Sequence, residues 1–409
     1  MANILYISLT GMTEPLGESQ VVQYLLDLAK DNSIHLLSFE KSIDQNKYAA
    51  MQKKIGDAGI QWKFFSYSNR YGIFSSVWQI LIAFLFLKKW TKKKNIEIIH
   101  ARSLIPAVMG VLIKKLSNIK LLFDIRGFAI DEKIMEGRIR ENSLLSNILK
   151  KIESYVYQNA DHIVTLTHAS KPIIEKNYKI NLKNITVIPT CANIEIFKPL
   201  SKSEKNNLKK SMGFTEEDVI FLRNGSLNES YDFKAEFKLF EQIAKLNPQA
   251  KFIFLNKGQH NLILSNLAKC QISNDRYQII SSDFTKVNDY LNAADMCVFF
   301  IKPSFAKQAS APTKFAEMVA AHLYAATNTQ YGDMEQYFGS YRVGILLELA
   351  FVHSDPKKAA QQVLEFIETS RDNDCEDDGE DFNQLFAEHF SKKIAVEKYQ
   401  HIYMDLNKA

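Results

Sequence analysis

The sequence predicts an α/β protein built as two successive doubly wound domains, and three observations carry that prediction. Short runs rich in Ile, Val and Leu alternate with longer helical patterns, as parallel strands joined by crossover helices do. The alternation pauses near residue 190 and begins again near residue 219. With 46% of its 409 residues hydrophobic, the chain is too long for one comfortable core and apolar enough for two.

Taken in order, the first series of strands is NILYIS (3–8), IHLLSF (34–39), IEIIHA (96–101), KLLFDI (120–125), HIVTLT (162–167) and ITVIP (185–189). The second is VIFLRNG (219–225), KFIFLN (251–256), YQIISS (277–282), MCVFFI (296–301), YAATN (324–328) and VGILLE (343–348). Between them, 191–211 is polar and carries Pro199, as a linker would. The expected organisation is a Rossmann-like domain over 1–198, a second over 199–389, and a helix at 390–409 packing toward the first. Two such domains are expected to turn the C-terminal ends of their strands toward each other across a cleft.

The most apolar window is 73–87, IFSSVWQILIAFLFL, followed by a lysine-rich run through Lys94. Because about 20 residues are needed to span a bilayer, it is too short to cross. Two readings stay open: a buried helix of the first domain, or a helix in the membrane interface with its lysines on anionic headgroups. A net charge of +5 is mild for this length, and apart from the segment near Trp90 the basic residues are not interleaved with aromatics, so nucleic acid is not an expected partner. Cys191, Cys270, Cys297 and Cys375 lie far apart with no metal-ligand spacing. No metal site or disulfide framework is expected, and a reducing cytoplasm fits. The opening MANILYISLTG begins a strand at once, without the pattern of a signal peptide. The acidic stretch 372–381 reads as an exposed loop.

The clearest chemistry lies after MCVFFI, where IKPSFAKQ leads into SAPTKFAEMVAA. Ser310 reads as an N-cap with Pro312 in the first turn, and Thr313, Lys314 and Glu317 fall on the helix. Amide groups, a hydroxyl and a lysine at a helix start suit a diphosphate, and Glu317 suits the hydroxyls of a ribose. A solvated, ordinarily capped helix is the plainer alternative. Arg223, Gly225 and Ser226, where a strand runs into a turn, suggest a second phosphate cradle.

In the first domain, Gly17, Glu18 and Ser19 lie in a loop that leads into an amphipathic helix and lacks the dinucleotide pattern. His100 and Arg102 end one strand; Asp124, Arg126 and Gly127 end the next. Strand ends of an open α/β sheet line its crevice, so these groups are expected to converge on an acceptor hydroxyl, Arg126 steadying departing phosphate charge. A structural Asp–Arg pair is the alternative, and His168 is a weaker candidate.

Together TGMTEPLGESQVVQYLLDLAK, IIHARS, LLFDIRGF, NADHIVTLT, ITVIPTCANIEIFKP and SAPTKFAEMVA resemble family-4 glycosyltransferases of the GT-B fold, in the same order along nearly the whole chain. The closest likeness is to the subgroup with a DPLGQSQV-like first loop and an SPTKxxE-like donor helix. The resemblance implies a retaining hexosyltransferase-type enzyme using a nucleotide-diphosphate sugar of UDP or GDP type, with no further cofactor and no obligatory metal. A lipid-linked or oligosaccharide acceptor and a role in surface polysaccharide or glycoconjugate synthesis follow. So does a cytoplasmic place, peripheral on the inner face of the membrane if 73–94 docks there.

By position, Glu317 resembles the second carboxylate of the family's paired-Glu motif, and Ser310, Thr313 and Lys314 its diphosphate contacts. The first carboxylate is replaced by Ala309, for which Lys307 or Lys302 offers charge but no carboxylate. His322 and Tyr324 stand where relatives have Gly and Pro. Arg126 adjoins a frequent His, and Arg223 and Lys257 stand for the usual Arg and Lys pair. Two further readings accompany these departures: an impaired homologue that binds nucleotide-sugar as a partner, and a nucleotide-sugar epimerase.

Overall fold

The computed structural model describes residues 1–41, 44–66, 73–282, 286–372 and 378–408, with the backbone alone for 73–78, 372 and 378. Cys375 and the middle of the acidic stretch at 372–381 lie outside the described residues. The chain forms two compact units, Met1–Thr190 with Lys392–Ala409, and Cys191–Ser391.

Unit 1 carries strands β1 (Asn3–Ser8), β2 (Ser33–Glu40), β3 (Gln61–Ser66), β4 (Ile98–Arg102), β5 (Lys120–Asp124), β6 (His162–Thr165) and β7 (Ile185–Val187). They form one parallel sheet in the order β3-β2-β1-β4-β5-β6-β7. The order reverses between β1 and β4, where the register sets Ser8 beside Arg102, and Arg102 in turn beside Asp124. Every residue of β4 is buried, as helices on both faces of a parallel sheet require.

Strand β3 was not among those read from the sequence. At the sheet edge its residues are half-buried or exposed, and its QWKFFS sequence has no continuous apolar run. It is held instead by Trp62 and Phe64 against Tyr48, and by a 2.9 Å hydrogen bond from Trp62 Nε1 to Ser38 Oγ. Helix Ile73–Lys93 carries the apolar window and presents a buried side and an exposed side. Ala83, Leu87 and Trp90 are buried, while Leu81 (47%) and Leu85 (54%) are exposed near the exposed Lys88, Lys89 and Lys92. No helix among the described residues is long and apolar enough to cross a membrane.

Helix Lys392–Lys408 belongs to unit 1, where it packs on helix Gln23–Leu28 and on β4. Gln400 donates to Asp31 at 2.6 Å, and Lys392 pairs with Asp27 at 2.8 Å.

Unit 2 carries β8 (Val219–Asn224), β9 (Ala250–Leu255), β10 (Tyr277–Ile280), β11 (Met296–Val298), β12 (Tyr324–Asn328) and β13 (Gly344–Leu347), parallel in the order β10-β9-β8-β11-β12-β13. Alternate residues of its strands feed two cores. Ile220, Leu222, Ile253 and Phe299 pack with Phe315 and Met318 of helix Thr313–Ala320. Phe221, Phe252, Phe254 and Val298 pack with Phe240 and Ile243 of helix Phe233–Leu246 on the other face. This period-two split is how a strand serves two layers at once.

The expected linker is structured. Lys202–Ser211 is a helix opened by a reciprocal capping box between Ser201 and Glu204. Phe197, buried in the core of unit 2, and the 3.0 Å bond from the Lys198 amide to Asn288 draw 191–198 into unit 2. Polar composition here marks a solvated helix face rather than a free connector.

Candidate functional site

Two polar clusters form, one at the strand ends of each unit. In unit 1, β4 and β5 bring together His100, Arg102, Asp124 and Arg126, as their positions at adjacent strand ends require. Asp124 Oδ1 lies 3.4 Å from Arg126 Nη1, and its Oδ2 lies 3.5 Å from His100 Nε2. The Tyr399 hydroxyl donates to the same Oδ2 at 3.3 Å. Burial alone would raise the Asp124 pKa, but Arg126 and His100 hold its carboxyl below the usual carboxylate range.

His100 is wholly buried. Its Nδ1 lies 2.6 Å from the Tyr403 hydroxyl, and its ring packs 4.3 Å from that of Tyr6 and 5.1 Å from that of Tyr399. Burial, more than any neighbouring charge, lowers its pKa and keeps the imidazole neutral. Three tyrosines, two of them from the C-terminal helix, close around the His100 ring. The tyrosines were not among the sequence candidates, because nothing local in KYQHIYM shows that its helix returns to β4.

Gly127 has φ +135°, and a Cβ there would come within 2.9 Å of Glu132 Oε1, so the turn after β5 requires glycine. Ser103, with φ 78° and ψ 171°, holds a conformation almost reserved for glycine immediately after Arg102. The loop after β1 is tied down by a residue that sequence reasoning missed. The buried Glu40 accepts from the Met12 amide at 2.8 Å, Thr13 Oγ1 at 2.9 Å and Ser38 Oγ at 2.6 Å. Gly17 packs so closely that an added Cβ would lie 1.9 Å from the Gly11 carbonyl oxygen. Glu18 is exposed and paired with Lys54 at 3.1 Å, and Ser19 is half-buried beside it.

In unit 2 the sheet order reverses between β8 and β11, and the sequence candidates gather at that point. Arg223, at the end of β8, is buried with its Nε 3.0 Å from Glu236 Oε2 and its Nη1 donating to the carbonyls of Asn224 and Gly225. Lys314 reaches the same turn, with Nζ 2.8 Å from the Asn224 carbonyl oxygen and 4.2 Å from the centre of the Tyr231 ring. Arg223 lies 4.9 Å from that ring. Gly225 adopts φ +95°, and a Cβ there would meet Lys314 Nζ at 3.4 Å.

The helix on which Lys314 sits begins at Thr313 with Pro312 as its N-cap. Ser310 is therefore not the cap that its residue type suggested; it lies in extended backbone ahead of the helix, its amide bonded to the Lys307 carbonyl. The N-cap Pro312 makes no side-chain cap bond to the helix start. Glu317 follows one turn on, half-buried and without a hydrogen bond or ion pair among the described residues. Burial pushes its carboxyl up to about 7, with Lys314 pulling the other way.

Ala309 is wholly buried, and Lys307 beside it is buried too. Lys302 pairs loosely with Glu229 at 3.5 Å, while Lys257 and Ser226 are exposed at strand-end turns. His322 takes φ 54° where a helix end favours glycine, and it is held there by a 5.2 Å stack on Phe382 and a 3.1 Å contact with Asn383 Oδ1. His168 is exposed.

Comparison with known proteins agrees with this architecture. Residues 53–196 match the model of Glycosyltransferase Family 4. An uncharacterized glycosyltransferase of Methanocaldococcus jannaschii is 30% identical over 183 residues, which take in 43% of this chain and 41% of that relative's length. The crystal structure of a glycosyltransferase from Rickettsia africae ESF-5 superposes with a TM-score of 0.69 at 17% identity, covering 99% of this chain and 98% of that one. Anabaena HepE, solved in complex with UDP-glucose, gives 0.71 at 12% identity, with 99% and 100% covered. The resemblance to family-4 glycosyltransferases is thus matched over 53–196, and the two parallel-sheet units have the GT-B fold.

Proposed function

We propose that this chain is a retaining glycosyltransferase that moves a sugar from a nucleotide-diphosphate donor of UDP or GDP type to a lipid-linked or oligosaccharide acceptor. The observation that carries the reading is the convergence, at one strand-order reversal, of Arg223, Lys314 and the tight turn at Gly225 with the partnerless carboxylate of Glu317. Two cations and free helix amides answer a diphosphate, and a half-buried carboxylate answers two ribose hydroxyls. The HepE structure with UDP-glucose supports a donor of this class for the fold.

In the reaction, the bond from the anomeric carbon to the donor phosphate oxygen breaks, and the diphosphate leaves with the electron pair. The acceptor oxygen bonds to the same face of that carbon, and its proton passes to the departing phosphate. What the protein supplies is charge stabilisation for the leaving group, from Lys314 and Arg223 with Thr313 and Ser310 nearby. Asp124, Arg126 and His100 serve the acceptor side in this reading, alongside Gly17, Glu18, Ser19, Arg102 and Gly127.

Calorimetric titration with UDP, GDP and ADP tests the donor site. One nucleotide is expected to bind, and Lys314→Ala to weaken it about 10- to 100-fold, the range for losing a charge-assisted contact. Unchanged affinity in the variant would remove Lys314 from the site. Ala309, apolar where a carboxylate contact with the donor sugar is expected, favours a second reading of binding without transfer. Tight nucleotide binding with no sugar transfer to any acceptor would select it.

Peripheral membrane contact through 73–94 belongs to the same proposal. Exposed Leu81, Ile82 and Leu85 beside exposed lysines suit an anionic interface. Co-sedimentation with phosphatidylglycerol vesicles is expected, falling several-fold between low and high salt and in the Leu81→Ser/Leu85→Ser variant. Equal recovery with neutral vesicles would count against it.

A further inference from the structure

We propose that the C-terminal edge of the unit 1 sheet at Arg102 is a second anion site, which binds a phosphate or diphosphate group carried by the acceptor. The inference rests on the transfer reading above and names the class of acceptor.

Arg102 ends β4 beside β1, at the reversal of strand order where open α/β sheets bind their ligands. It is 7% exposed, yet among the described residues its guanidinium has no hydrogen-bond or ion-pair partner, and its buried Nε has no acceptor. The nearby carboxylate, Asp124, is already engaged by Arg126, His100 and Tyr399, so two guanidinium groups share one negative charge. Burial and Arg126 together depress the Arg102 pKa, a sign that the protein itself does not neutralise it.

A buried cation without a partner destabilises a fold, and a group that completes it from outside accounts for its presence. Helix Leu104–Lys114 starts two residues after Arg102, and its N-cap Ser103 makes no side-chain bond to the amides of the first turn, where Pro106 leaves only those of Leu104 and Ile105. The planar guanidinium fork matches the oxygens of a phosphate. Unit 2 has its own cation pair at its own strand-order reversal, so this anion is additional to the donor diphosphate.

The test is titration of the full chain, saturated with UDP, with pyrophosphate, inorganic phosphate, acetate and a short-chain alkyl diphosphate. Pyrophosphate is expected to bind the UDP-saturated wild type and to lose at least about 10-fold in Arg102→Met, with Arg102→Lys intermediate. UDP affinity should not change in Arg102→Met, and its unfolding midpoint should match or exceed that of the wild type, because an uncompensated buried charge has been removed. A gain from the alkyl tail would support the site with a lipid-linked source; equal affinity would support it with a soluble phosphorylated one. Pyrophosphate binding indifferent to Arg102→Met, acetate binding as tightly as phosphate, or loss of UDP affinity in the variant would each overturn it. If UDP binds neither protein, the donor reading fails, whereas pyrophosphate titration of the free chain still decides the Arg102 site.

Discussion

Glu236→Ala is expected to destabilise unit 2 by about 3–5 kcal/mol, the cost of stranding a buried charge. The Glu236 side chain is 0% exposed, and one oxygen holds Arg223 Nε at 3.0 Å while the other accepts the Phe300 amide at 3.1 Å. Alanine would leave a guanidinium that is itself 2% exposed without a carboxylate, facing backbone carbonyls and the Tyr231 ring, together with an unpaired Phe300 amide. The double variant Arg223→Met/Glu236→Gln removes the charge and keeps an acceptor for Phe300, and it should recover most of the loss in urea denaturation. Nucleotide affinity should stay low in both, because Arg223 also shapes the Gly225 turn. A wild-type midpoint in Glu236→Ala would mean that Arg223 is neutralised elsewhere and that the pair is not what holds the cradle.

This pair shows where sequence reading stops. Strand runs such as NILYIS and YAATN were legible as short, mostly apolar runs between helical patterns, and their bounds match the observed strands. Arg223, Gly225 and Lys314 were legible singly, as residue types at strand and helix ends. Their partners were not. Glu236 reads as one more helical glutamate, Glu40 as the polar end of a strand, and Tyr399 and Tyr403 as ordinary residues of a terminal helix. What makes each of them matter is a tertiary contact far along the chain: β2 with the loop at Met12, the C-terminal helix with β4, helix Phe233–Leu246 with β8. The misplaced N-cap has a similar origin. Ser310 has the right chemistry, but Pro312 takes the capping position and holds the preceding residues extended.

Glu317 is where charge, pH and ligand meet, and its replacement should separate stability from binding. In the free chain its carboxyl is raised from 4.5 to about 7, chiefly by burial. A carboxyl with a raised folded pKa contributes stability below its unfolded value and loses it as pH climbs through the folded one. Between about pH 4.5 and pH 7 the free protein should therefore lose stability that Glu317→Gln does not lose. The gap corresponds to about 3 kcal/mol as an upper bound, since the side chain is partly open to solvent. Nucleotide acts in the opposite sense. Ribose hydroxyls donate to the ionised carboxylate, so bound nucleotide lowers its pKa, binding below about pH 7 releases a proton, and affinity rises as pH climbs toward 7 and levels off above it. Glu317→Gln is expected to be more stable than wild type at pH 8, to bind nucleotide about 10- to 100-fold more weakly there, and to show almost no pH dependence. Calorimetry near pH 6, in two buffers of different ionisation enthalpy, reads the proton directly. Parallel pH profiles for the two proteins, with no proton released by the wild type, would take Glu317 out of the ribose site and leave it a buried acid with a structural cost.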